Sequence, residues 1–86
     1  MEDHINKMNP TPLYFQLKEI LRSKIEAEEW KVGENIPVEN DLMAKYDISR
    51  STVRQAVLEL VSEGYLRREK SKGTVIISST GNRHFI

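Results

Sequence analysis

The densest set of side chains able to do chemistry lies between Ile48 and Gly64, where Ser49, Arg50, Ser51, Thr52, Arg54 and Gln55 crowd into seven residues. Arginine forks can pair bidentately with guanine edges and glutamine with adenine. Hydroxyls and free backbone N–H groups suit phosphate oxygens. The apolar residues of the same stretch, Val53, Ala56, Val57, Leu60 and Val61, fall at i, i+3, i+4, i+7 and i+8, one face of an α-helix. Ser49 is suited to cap its start and Gly64 to close it in the left-handed C′ conformation. The spacing therefore predicts a helix over Arg50–Glu63 whose first turns carry the polar groups. Such a helix is equipped to read DNA, although a polar outer face is also what an ordinary surface helix carries.

The elements that would position this helix come before and after it. Thr11-Pro12 reads as an N-cap followed by proline at the first helical position. Leu13, Leu17, Ile20, Leu21 and Ile25 then predict a first helix from about Pro12 to Glu28, a wall of the core. Its other face carries Gln16, Lys18, Glu19, Arg22, Ser23 and Glu26 and is expected to be solvated. Trp30 is expected as a core or domain-contact anchor. Gly33 marks a turn, and Ile36-Pro37 is expected to be extended, enough for a minimal strand. A short helix from Val38 or Glu39 to Lys45 or Tyr46 would turn Leu42 and Tyr46 inward. Asp47 makes the break and Ile48 packs inward, so two helices meet across a turn short enough for a helix-turn-helix.

After Gly64, Tyr65–Glu69 and Thr74–Ile77 have strand-like composition around the turn Lys70-Ser71-Lys72-Gly73. Lysines on a hairpin are commonly protection for exposed edges. Following a helix-turn-helix, the same hairpin reads as a wing, with Arg67 and Arg68 along its arm and Lys70 and Lys72 at its tip, set against phosphates or the minor groove. The fold expected is mainly α with a small β-hairpin, an α+β winged helix-turn-helix. Residues 1–10 are expected to be a flexible N-terminus and 11–77 the folded domain. Residues 78–86 are expected to begin a linker, their apolar close His84-Phe85-Ile86 marking either a cut inside a linker or a strand of a following domain.

Composition excludes several classes. The 86 residues suit one small domain, and the absence of cysteine removes disulfide and thiolate-zinc frameworks. No apolar run is long enough to span a membrane, and Met1-Glu2-Asp3-His4 does not open a signal peptide. His4 and His84 lie in the tails, and no nucleophile–base or metal-ligand spacing appears between them. Neither an enzyme nor a cofactor or metal is implied. Thirteen basic and thirteen acidic residues cancel, yet their distribution is uneven. Met1 to Ile48 hold 6 basic and 10 acidic residues, a balance of −4, and Ser49 to Ile86 hold 7 and 3, a balance of +4. A basic face can therefore hide inside a neutral total.

Taken in order, Pro12-Leu13-Tyr14 with Gln16, Gly33, Ile36-Pro37 with Glu39, Leu42-Met43-Ala44, Tyr46, Ile48-Ser49-Arg50, Thr52-Val53-Arg54, Ala56, Leu60, Glu63-Gly64, Leu66 and Lys72-Gly73-Thr74 resemble one known pattern. It is that of the N-terminal domain of GntR-family bacterial transcription regulators, and within it the HutC-like branch, over about Pro12 to Ile77. The resemblance implies a domain that dimerises on palindromic double-stranded DNA operators. It also implies a C-terminal domain, joined through a linker, that senses a small metabolite; a cytoplasmic regulator is expected, a repressor more than an activator. It puts the family's DNA-contacting positions on Ser49, Arg50, Ser51, Thr52 and Arg54, and on Asn40, where the family often has arginine. In the wing, the position where a glycine often nears the minor groove is Ser71, between Lys70 and Lys72 and before Gly73. Val38 stands where a capping serine is usual, and Asp47 where the turn usually has glycine. The alternative function is a winged-helix protein-interaction module without specific DNA readout.

Overall fold

The computed structural model of the chain describes residues 4–82, and the expectations for Arg83 and for His84-Phe85-Ile86 fall outside them. Three helices are followed by a hairpin: α1 Leu13–Glu26, α2 Glu39–Tyr46, α3 Arg50–Ser62, β1 Leu66–Glu69 and β2 Gly73–Ile76. The winged helix-turn-helix expected from the sequence is the fold observed. Leu17, Leu21 and Ile25 of α1 meet Val53, Ala56 and Leu60 of α3 in one core, to which Leu42 and Tyr46 of α2 and Leu66 and Ile76 of the hairpin contribute. Burying such side chains stabilises by about 1.5–3 kcal/mol each before conformational entropy is charged against it.

Helix ends account for most departures from the predicted spans. The N-cap of α1 is Pro12 and not Thr11, and no side chain caps it. At its other end α1 stops at Glu26 because Glu28 turns left-handed (φ 60°) and the Glu29 N–H closes onto the Lys24 carbonyl. For α3, Glu63 is the C-cap and Gly64 adopts φ 88°, letting the Tyr65 N–H reach the Leu60 carbonyl. Val38 has the extended dihedrals of an N-cap (φ −69°, ψ 161°) but no side-chain acceptor for α2. Val38→Ser is therefore expected to stabilise the chain by about 1 kcal/mol, raising the midpoint of a thermal melt by about 4–8 °C. An unchanged or lower midpoint would show that the cap is not missed.

The turn between α2 and α3 is held from outside. Asp47 is left-handed (φ 54°, ψ 57°), a conformation asparagine and aspartate tolerate better than most residues. The Lys7 ammonium donates to both its carbonyl and its carboxylate. Asn6 also exchanges two hydrogen bonds with the side chain of Gln16, and Ile5 packs on the core. Residues 5–7, expected to belong to a flexible N-terminus, instead lie against the body of the domain.

Two further segments pair with the body of the domain, one expected as a minimal strand and one read as linker. The Ile36 N–H donates to the Thr74 carbonyl and the Ile76 N–H to that of Glu34, with Asn35 bridging Val75. The minimal strand expected near Ile36 is this contact, along the free edge of β2. Ser78–Asn82, linker-like in sequence, turns back on the end of α3. The Asn82 N–H donates to the Glu63 carbonyl, and Gly81 is buried so closely that a Cβ there would lie 2.7 Å from the Tyr65 ring.

Candidate nucleic-acid interface

The first turn of α3 gathers the polar groups singled out in the sequence. Ser49 Oγ accepts from the Thr52 N–H at 3.2 Å, the cap expected of it, and lies 2.9 Å from Thr52 Oγ1 and 3.2 Å from Ser51 Oγ. Three hydroxyls therefore cluster at the positive end of the helix, where dipole and free N–H groups favour an anion. Arg50 and Arg54, one turn apart, both extend along the side of α3 that faces the start of α2.

What sequence reasoning missed there is Glu39. Its carboxylate accepts from Arg54 Nε at 2.8 Å through one oxygen and from Arg50 Nη1 through the other. Asn40 Oδ1 accepts from Arg50 Nη2 at 3.3 Å. Asn40, Arg50 and Arg54 are thus brought together, and one carboxylate restrains two long side chains that remain about half exposed, 48% and 56%. Glu39 was visible as a first-turn acid of α2 and as part of the family pattern. Its partners lie 11 and 15 residues away, beyond any local rule.

Arg54 first, and then Arg50, hold the Glu39 carboxyl below the usual glutamate range. Lys7 does the same for Asp47, and Gln55 followed by Lys18 for Glu59. A depressed carboxylate contributes stability above its unfolded pKa and loses it as pH falls through the folded one. Melting temperature is therefore expected to hold near neutrality and fall below about pH 4, where ordinary carboxylates protonate. Glu39→Gln should remove part of that acid loss. Parallel acid slopes for parent and variant would show that the two arginines do not stabilise the Glu39 carboxylate.

Lys18 corrects the reading of α1. Placed by pattern on the solvated face, it is only 7% exposed, because its ammonium reaches Glu63 at 2.8 Å and Glu59 at 3.2 Å on α3. Glu63 is the main reason it holds its proton above the ordinary lysine range. Gln55 stands apart from the arginine group and donates to Glu59 at 3.0 Å.

The wing tip carries the remaining candidates. Lys70, Ser71, Lys72 and Gly73 are all exposed, and the Lys72 N–H closes the turn on the Glu69 carbonyl. The Asn35 side chain donates to the Lys72 carbonyl, so the tip is tied to the segment leading into α2. A Cβ on Gly73 would approach Asn35 Nδ2 at 3.0 Å. On the arm, Arg67 is paired with Glu69 at 2.6 Å and Arg68 is exposed.

Residues 13–76 match the family described as bacterial regulatory proteins, gntR family. The chain belongs to the GntR family. Its relatives include the uncharacterized HTH-type transcriptional regulator YurK of Bacillus subtilis, 44% identical over 82 residues that make up 95% of this chain and 34% of YurK. The histidine utilization repressor of Klebsiella aerogenes is 35% identical over 84% of this chain and 30% of its own length, as expected for the HutC-like branch. Among solved structures, the AraR DNA-binding domain in complex with operator ORE1 superposes with a TM-score of 0.75 at 33% identity, covering 88% of this chain and 93% of that one. The chain thus spans about a third of the relatives' length. The family is one of regulators and not of enzymes. Among the described residues there is no group of three or more His, Asp or Glu fit to hold a metal, and no helix long and apolar enough to cross a membrane.

Proposed function

We propose that this GntR-family domain binds double-stranded DNA in a sequence-specific manner, with α3 in the major groove and the wing against the backbone or minor groove. The observation that carries the reading is the clamp of Glu39 on Arg50 and Arg54. Two forked donors are pre-oriented beside a helix N-terminus lined by Ser49, Ser51 and Thr52, which lowers the ordering cost of binding. Arg50 and Arg54 make the main base or phosphate contacts, with Ser49, Ser51, Thr52 and Gln55 supporting, while Asn40 grips the backbone or minor groove. Lys70, Ser71, Lys72 and Gly73 serve the backbone or minor groove. The AraR domain's complex with an operator supports the same use of the fold.

In the whole protein, the domain read as 11–77 would also take in residues 5–7 and 78–82, which pack on it, with a linker following. A C-terminal domain beyond it would bind a small-metabolite effector. A repressor role fits the repressor relative named above, and the proposed form is a cytoplasmic homodimer on a palindromic operator.

The test is binding of a fluorescent duplex as salt is raised. Specific and non-specific DNA binding both weaken steeply with salt as counterions return to the phosphates. Lys72→Ala is expected to weaken binding to every duplex by a similar factor and to flatten the log–log salt slope by about one. Salt-independent binding, or no duplex preference over single strands, would favour a protein-interaction module.

A further inference from the structure

Gln55 lies on the outward face of α3, and its Nε2 donates to Glu59 Oε2 one turn on, at 3.0 Å. The other oxygen of that carboxylate accepts from Lys18 Nζ at 3.2 Å, and the buried Lys18 is fixed in turn by Glu63 at 2.8 Å. The four side chains form a chain of hydrogen bonds from the α1–α3 contact to the surface. Gln55 and Lys18 hold the Glu59 carboxyl below its usual range, so at neutral pH it is ionised. An ionised carboxylate only accepts. The amide must therefore turn its NH2 toward Glu59 and its carbonyl oxygen away. An unanchored glutamine can flip and offer either a donor or an acceptor, whereas this one has its orientation chosen for it.

In the major groove, adenine shows an N6 donor beside the N7 acceptor, while guanine shows two acceptors, O6 and N7. We propose that Gln55 reads adenine, its Oε1 accepting from the N6 amino group and its remaining N–H donating to N7, and that Glu59 and Lys18 are positioning residues that fix this orientation. The assignment rests on the duplex-binding reading above and adds a base identity and the residues that enforce it.

The experiment selects duplexes from a randomised library with the 86-residue parent, Gln55→Ala and Glu59→Gln, each first checked for a cooperative melt. The parent motif is expected to contain a column in each half-site favouring adenine by about tenfold or more. Gln55→Ala should flatten that column and no other. Glu59→Gln, whose new amide can donate or accept, should lower the adenine preference there by about fivefold as guanine enters, the other columns holding. A merely structural role for Glu59 would weaken all columns together. The assignment is overturned if Gln55→Ala changes no column, if the column it flattens favours another base in the parent, or if Glu59→Gln leaves the adenine preference intact or acts evenly on all columns. A parent that enriches no motif overturns the sequence-specific part of the duplex reading, and this assignment with it.

Discussion

Arg54→Ala is expected to lower affinity for the preferred duplex by about 1–3 kcal/mol, roughly 5- to 150-fold, and to blur base preference at one position of each half-site. In the proposed complex the guanidinium would have two roles. Its Nε is engaged by Glu39, which fixes the plane of the fork. The Nη edge is the part that can meet the two acceptors of a guanine. Lysine supplies charge without the fork. Arg54→Lys should therefore keep most of the affinity for scrambled DNA while losing the preference for the selected site. Competition between the selected and a scrambled duplex measures both quantities. If Arg54→Ala binds the two as the parent does, Arg54 does not read a base.

The second large effect concerns stability. Leu60 is fully buried in the core that α1, α3 and the hairpin share, and its carbonyl receives the Tyr65 N–H that closes α3. Leu60→Ala is expected to cost about 2–5 kcal/mol through lost transfer energy and a residual cavity. Small domains have about 0.05–0.15 kcal/mol of stability per residue, so this is a large part of the total. The thermal midpoint should fall by about 8–40 °C. Leu58, on the same helix but 48% exposed, should tolerate alanine to within about 0.5 kcal/mol. A Leu60→Ala melt within a degree or two of the parent, or a Leu58→Ala variant that loses more, would contradict the packing described for α3.

Where periodicity and capping rules apply, the fold was legible in the residues. The i, i+3, i+4 spacing of Val53, Ala56, Val57 and Leu60 places α3, Ser49 caps it as its type suggests, and Leu42 and Tyr46 turn inward from α2. Ends were less legible, because a left-handed Glu28 or a Pro12 cap depends on which backbone conformation the next element allows.

Least legible were contacts between elements distant in sequence. Lys18 has the charge of a surface residue and is buried because Glu59 and Glu63 come from another helix to meet it. Asn35 reads as a loop residue, yet its amide ties the wing at Lys72, 37 positions on. Ser78–Asn82 has the composition of a linker, and its attachment depends on the Glu63 carbonyl and the Tyr65 ring being within reach. Of the candidate interface, the recognition-helix residues were visible as a cluster. The pairings of the carboxylates that orient them, Glu39 and Glu59, were not, because an acid on a helix looks solvated until its partner is known.

Sequence-specific recognition of duplex DNA is tested most directly by incubating the chain with a randomised duplex library at moderate salt, recovering the bound fraction over several rounds and sequencing it. Enrichment of a motif, arranged as an inverted repeat, is the result expected from a recognition helix pre-oriented by Glu39. No enriched motif, together with no salt-sensitive binding to any duplex, would contradict the account and leave the winged helix a surface for protein partners.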